Sequence, residues 1–198
     1  MKNRVIIVTG IPGVGKTTVL KELVKKAGKK GVKLNVINYA SIMLKVANEK
    51  GKNIGRDDLR RMPIDLQRAL QMEAAKKIEK MISEAPETII DTHMTIRTNN
   101  GYWSGIPLNV LKKLHPNLFV LLEAEPSEIV DRRLKDKARK RDKALIENVK
   151  EEMGFSRFLA ASCATLTGAP VKILKNLAGK QVDVANQLLD AIQKLGGA

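Results

Sequence analysis

The sequence predicts an α/β fold in which a five-stranded parallel sheet carries helices on both faces. Three observations point there. Short apolar runs recur along the chain, bounded by polar turns, as buried strands do. The stretches between them have helical periodicity, and this alternation produces crossover connections and hence a parallel sheet covered on both sides. Finally, 198 residues of which 43% are hydrophobic suit one core and one domain over residues 1–198.

The first strand is Arg4 to Thr9, RVIIVT, followed by a glycine-rich turn and a helix. The second is Lys33 to Asn38. A long insert, about residues 38–72, separates it from the third strand at Thr88 to Asp91 and is expected to form a movable lobe. Within it Pro63 can open a helix, with Leu66, Ala69, Leu70, Ala74 and Ile78 on one side. The fourth strand is Leu118 to Glu123. A charged stretch from about residue 132 to 142, RRLKDKARKRD, precedes a long alanine-rich helix, and Val171 to Lys175 is the fifth strand.

Composition narrows the function. Lys and Arg outnumber Asp and Glu by 36 to 21, a formal charge of +15 that draws the chain toward polyanions. No apolar run approaches the roughly 20 residues of a membrane-spanning helix, and the first ten residues do not read as a signal peptide, so a cytoplasmic location is expected. Cys163 stands alone and is expected to be a small buried hydrophobe, which excludes an intrachain disulfide and a cysteine metal cluster. His93 and His115 are too few and too isolated for a zinc site.

The strongest motif is GIPGVGKT, Gly10 to Thr17, directly after the first strand, with Thr18 following. A GxxxxGK[ST] loop in a strand–turn–helix context is the phosphate-binding P-loop. Gly10, Gly13 and Gly15, with Ile11, Pro12 and Val14 between them, let backbone N–H groups face an anion at a helix N-terminus. Lys16 is expected to reach the β and γ phosphates, Thr17 to ligate Mg2+, and Thr18 to add a phosphate contact. An ordinary β-to-α turn does not call for the Lys-Thr pair.

Asp91 closes the third strand, where the C-terminal edge of a parallel sheet faces a ligand crevice; holding a magnesium-bound water is its expected task, against an N-cap for the following turn. His93 follows, as a substrate contact or a hydrogen-bonded structural residue. Arginines occur in three further places: Arg56 and Arg60, on one face if helical; Arg97; and Arg132, Arg133, Arg139 and Arg141 in the charged stretch. Phosphoryl transfer between two phosphorylated substrates needs such cations around one crevice, and the planar guanidinium grips phosphate oxygens in pairs. The charged stretch suits a short lid that excludes water.

At these residues the chain resembles the archaeal adenylate kinases, a branch of the P-loop nucleoside monophosphate kinases. The likeness runs through VTGIPGVGKTT, NYASIML, GRDDLRRM, DTHMTIRTNNGYWSGIP, LLEAEPSEI, RRLKDKARKRD and LTGAPVKIL, and DTH to GIP is its distinctive part. The resemblance implies reversible, Mg2+-dependent transfer of the ATP γ-phosphoryl group to AMP without a covalent intermediate. It also implies AMP in the 38–72 insert, held by Arg60 and Arg97 with Arg56 nearby, and ATP covered by Arg132, Arg139 and Arg141. The turn Thr167 to Pro170 is expected to border adenine, and a homotrimer is expected. Trp103 and Ser104 stand where the family often has an apolar residue and proline, and Ala138 where a polar residue is usual.

Two other readings remain open on sequence. One is a P-loop kinase for another small acceptor, because a few pocket contacts choose the acceptor. The other is a nucleic-acid-linked ATPase, suggested by the charge, although two Tyr, three Phe and one Trp offer little for base stacking. Weak RNA binding is also compatible with kinase activity.

Overall fold

The computed structural model describes residues 3–52, 54–98, 101–135 and 145–195, with the side chains of Asp57 and Arg60 left out. β1 (Arg4–Thr9) leads through the glycine-rich turn into α1 (Lys16–Lys29), and β2 (Asn35–Asn38) follows. The insert then builds α2 (Tyr39–Glu49), α3 (Arg56–Arg61) and α4 (Ile64–Ser83), and β3 (Glu87–Asp91) returns to the sheet. Beyond it come β4 (Thr95–Thr98), β5 (Gly101–Ser104) and α5 (Leu108–Leu114). The chain closes with β6 (Leu118–Glu123), α6 (Pro126–Lys135), α7 (Ile146–Thr167), β7 (Val171–Lys175) and α8 (Gln181–Lys194).

Five strands form one parallel sheet in the order β2-β3-β1-β6-β7. The pleat sends alternate residues to opposite faces. Ile7, Ile37, Ile90 and Phe119 meet Met43, Leu70, Ile78, Leu111 and Ala160 of α2, α4, α5 and α7 on one side. Ile6, Val8, Ile89, Val120 and Leu174 meet Leu23 of α1, Ile129 of α6, and Leu188 and Ile192 of α8 on the other. Full burial of each Leu or Ile stabilises by roughly 1.5–3 kcal/mol. Cys163 is buried on the first side, as expected of a small hydrophobe.

The five apolar runs are the five strands, with small shifts at their starts. β3 begins at Glu87, because Arg4 is its register partner on β1 and its guanidinium pairs with the Glu87 carboxylate. A polar residue thereby enters a sheet that apolarity alone would begin at Thr88. The helix opened by Pro63 is α4, but Ala69 is exposed and Gln67 and Gln71 are buried in its stripe. Buried amides need partners. Gln67 Nε2 donates to the Met62 carbonyl at 2.8 Å and Gln71 Nε2 to the Gly105 carbonyl at 3.4 Å, while the Gln71 backbone carbonyl accepts from the Tyr39 hydroxyl at 2.6 Å.

The antiparallel hairpin β4-β5 was not expected from apolar runs, because both strands are short and polar. Its register pairs Thr95 with Ser104 and Thr98 with Gly101, and residues 99–100 between the strands lie outside the described residues. Tyr102 stacks on Phe155 of α7 with ring centroids 4.8 Å apart, fixing the hairpin to the main body.

Candidate active site

The P-loop leaves the C-terminal end of β1 and closes on α1. Two of its glycines are dictated by packing. A Cβ on Gly10 would lie 2.7 Å from the Leu122 carbonyl oxygen, and one on Gly15, at φ +92°, would lie 2.4 Å from Nδ2 of Asn176. Behind the loop, Asn176 Nδ2 donates to the Val14 carbonyl at 2.8 Å and Arg133 Nε to the Pro12 carbonyl at 2.8 Å. A trans peptide is planar, so its N–H points opposite to its C=O. Anchoring these two carbonyls on the protein side therefore aims the Gly13 and Gly15 N–H groups to the other side, where an anion would sit.

Lys16 lies against the sheet edge with its side chain only 10% exposed. Its Nζ is 3.2 Å from the Gly10 carbonyl, to which it donates, and 3.8 Å from Oδ1 of Asp91. His93 Nδ1 also lies 2.8 Å from the Gly10 carbonyl, a contact that requires the proton on Nδ1. With that tautomer the 3.4 Å approach of Lys16 Nζ to the same nitrogen is proximity without a hydrogen bond. His93 thus holds the loop's entrance.

Asp91 is the register partner of both Val8 on β1 and Asn38 on β2, so the parallel ladder itself brings these residues side by side. Its Oδ2 accepts from Asn38 Nδ2 at 2.7 Å while Oδ1 faces Lys16. The element after Asp91 is β4, and the Asp91 carboxylate faces Asn38 and Lys16. Asn38 caps α2: its Oδ1 accepts from the Ser41 amide at 3.0 Å. The same oxygen accepts from Arg56 at 3.3 Å, and Arg56 also donates to Ser41 Oγ at 2.8 Å.

The predicted arginines divide. Arg56 and Arg60 both belong to α3, and the side chain of Arg60 lies outside the described residues. α3 packs beside β4, whose Arg97 is exposed opposite Tyr102. Burial pushes the Tyr102 phenol above its ordinary value, with Glu151 adding to the shift and Arg97 opposing it. Arg132 and Arg133 complete α6 and turn toward the P-loop. Arg132 pairs with Glu128 at 2.7 Å and reaches the Val14 carbonyl at 3.3 Å. Arg133 pairs with Glu152 at 2.8 Å. Arg139, Arg141 and Ala138 lie outside the described residues, as does the rest of the 136–142 stretch.

One expectation is corrected. Thr167 to Pro170 precedes β7, and the Pro170 carbonyl accepts from the Phe119 amide near the start of β6, at the N-terminal edge of the sheet. The P-loop occupies the opposite edge. The segment beside it is the β7–α8 turn, through Asn176 and through Ala178, whose amide donates to Glu128 at 3.2 Å. Sequence reading missed Asn38 and Asn176, and the one available signal was an Asn that closes or directly follows a strand.

Thr17 is exposed in the first turn of α1, and Asp91 is half-buried at the neighbouring strand end. A hydroxyl and a carboxylate are hard oxygen donors that fit Mg2+ shared with phosphates. Among the described residues no cluster of three or more His, Cys, Asp or Glu could hold a metal on its own, and no helix is long and apolar enough to cross a membrane.

Comparison with known proteins agrees with this geometry. The family model described as AAA domain matches residues 9–150. An adenylate kinase of Methanocaldococcus jannaschii is 43% identical over 176 residues, 89% of this chain and 91% of that protein. Adenylate kinases of Methanopyrus kandleri and Pyrococcus furiosus are each 40% identical, covering 96% and 93% of this chain and 98% and 93% of their own. Among solved structures, shikimate kinase from Acinetobacter baumannii in complex with shikimate superposes with a TM-score of 0.61 at 13% identity, over 100% of this chain and 97% of that one. A gluconokinase from Sinorhizobium meliloti gives 0.53 at 14% identity, over 97% and 93%. At such identities these two structures speak for the fold alone.

Proposed function

This chain belongs to the adenylate kinase family, and from that premise we propose how its residues divide the work of moving the ATP γ-phosphoryl group to AMP, giving two ADP. The observation that carries the reading is the convergence on one sheet edge of the P-loop Lys16, the strand-end Asp91 and, through Asn38, the arginine of the insert.

The reaction asks the protein for position and charge. The AMP phosphate oxygen attacks the γ-phosphorus in line as the bond to the β–γ bridging oxygen breaks, and ADP leaves from the far side. Loop N–H groups and Lys16 draw negative charge from the β and γ phosphates, and Lys16 leaves the Gly10 carbonyl to follow the moving phosphoryl group. Bound Mg2+, held by Thr17 and through water by Asp91, would neutralise phosphate charge. Gly10, Ile11, Pro12, Gly13, Val14, Gly15 and Thr18 complete the nucleotide cradle. Arg60 and Arg97 grip the AMP phosphate beside Arg56. Arg132, with Arg139 and Arg141, serves ATP from a lid over about residues 132–142, and the insert over about 38–72 carries AMP.

A homotrimer in the cytoplasm is part of this proposal. The apolar Phe158 and Leu166 of α7 are 74% and 60% exposed, and Ile173 is 47% exposed on the edge strand β7, which favours self-association. A lone reduced cysteine suits a reducing compartment. The +15 charge supports a weak, salt-sensitive affinity for nucleic acid beside catalysis.

Lys16→Ala tests the assignment. Turnover is expected to fall about a hundred- to a thousandfold, the scale of losing one preorganised charge contact, with the far-ultraviolet spectrum unchanged. Near-normal turnover in a folded variant would refute it.

A further inference from the structure

Asn38 touches both halves of the site. Its Nδ2 donates to Asp91 Oδ2 at 2.7 Å, and its Oδ1 accepts from Ser41 and Arg56. The amide has one donor and one acceptor end, so a single side-chain plane fixes both contacts. With Oδ2 taken by Asn38, Asp91 presents Oδ1 to Lys16. The backbone enforces the pairing, because Asn38 and Asp91 are register partners on adjacent parallel strands. Asn38 is also where the sheet ends and the insert begins, as the N-cap of α2.

We infer that Asn38 is a positioning residue that couples the acceptor side of the site to the phosphate-donor side, by setting the orientation of Asp91 according to whether Arg56 is engaged by an anion. The inference rests on the assignment of Arg56 to the AMP side and Asp91 to the ATP side. Arg56 donates to Asn38 Oδ1 and to Ser41 Oγ. An AMP phosphate competes for that guanidinium, because a charged acceptor outbids a neutral amide oxygen. The Asn38 plane is then set by Asp91 and the helix cap alone, and Asp91 is held in one orientation for the donor phosphates. Linkage makes the effect reciprocal: a donor nucleotide that fixes Asp91 must strengthen AMP binding by the same factor.

The test separates coupling from capping. Asn38→Ser and Asn38→Thr keep an oxygen that caps α2. Neither reaches Asp91, because both hydroxyls are held too close to the backbone to replace the amide Nδ2. The dissociation constant of AMP is measured calorimetrically with and without saturating Mg2+ and a non-hydrolysable ATP analogue, so no turnover occurs. In the unsubstituted enzyme the analogue should tighten AMP binding about fivefold or more, within the usual range of coupling between sites. In both variants the ratio should fall to within about twofold of unity, while melting temperatures stay near that of the parent. A ratio unchanged in the variants, or already near unity in the parent, would overturn the inference. Should Asn38→Ser fail to fold, Asn38→Thr carries the comparison. Asp91→Asn provides the separate control: unchanged Mg2+ affinity of the analogue complex would overturn the site assignment beneath the inference.

Discussion

Asn176 Nδ2 donates to the Val14 carbonyl oxygen at 2.8 Å, tying the turn after β7 to the P-loop across 162 positions of sequence. This contact explains why position 15 must be glycine. Gly15→Ala would force a left-handed φ on a residue with a Cβ and drive that Cβ into the Asn176 amide. The expected cost is about 1–2 kcal/mol from the backbone alone, with weakened ATP binding, checked by denaturant unfolding and by nucleotide titration. Adding Asn176→Ala relieves the clash but not the strain. The two substitutions together should therefore cost less than the sum of their separate effects.

Arg133 lies behind the same loop, paired with Glu152 and donating to the Pro12 carbonyl, the two side chains only 12% and 8% exposed. Arg133→Ala leaves a buried carboxylate without its cation and should destabilise by about 3–5 kcal/mol. Arg133→Met with Glu152→Leu should recover much of that stability while leaving the Pro12 carbonyl unanchored. Urea midpoints report the first effect and ATP affinity the second.

How much of this was legible in sequence depends on the kind of signal. The sheet was legible because buried parallel strands must be apolar on both faces, and the runs at Arg4 and Leu118 state that directly, whereas the edge strand β7 keeps only Leu174 buried. The P-loop was legible because its chemistry needs fixed residue types at fixed spacing. The β4-β5 hairpin was not, since Thr95 and Arg97 carry no hydrophobic period and its stability comes partly from Tyr102 stacking on the distant Phe155. Asn38 and Asn176 were invisible for a similar reason. Each matters through a partner 53 or 162 positions away that only the strand order supplies. The same topology sets Thr167–Pro170, the expected adenine border, at the edge of the sheet opposite the P-loop.

Alkaline pH should weaken the fold in a defined window. Burial pushes the Tyr39 phenol far above its ordinary value and raises the Cys163 thiol as well. A raised folded value means that the unfolded chain releases its proton first. Stability is therefore full below the unfolded values, about 8.5 for cysteine and 10 for tyrosine, and falls as pH rises beyond them toward the folded values. Unfolding free energies at pH 8, 10 and 11 should show the decline. Tyr39→Phe should lower stability at pH 8 by about 1 kcal/mol through the lost bond to Gln71, yet flatten the loss above pH 10.

The most direct test is the initial rate of ADP formation from Mg2+ and ATP with AMP, CMP, UMP, GMP or shikimate as acceptor, against ATP alone. The account predicts rapid turnover with AMP and little with the others. Equal use of another acceptor, or ADP release that does not depend on any acceptor, would contradict it.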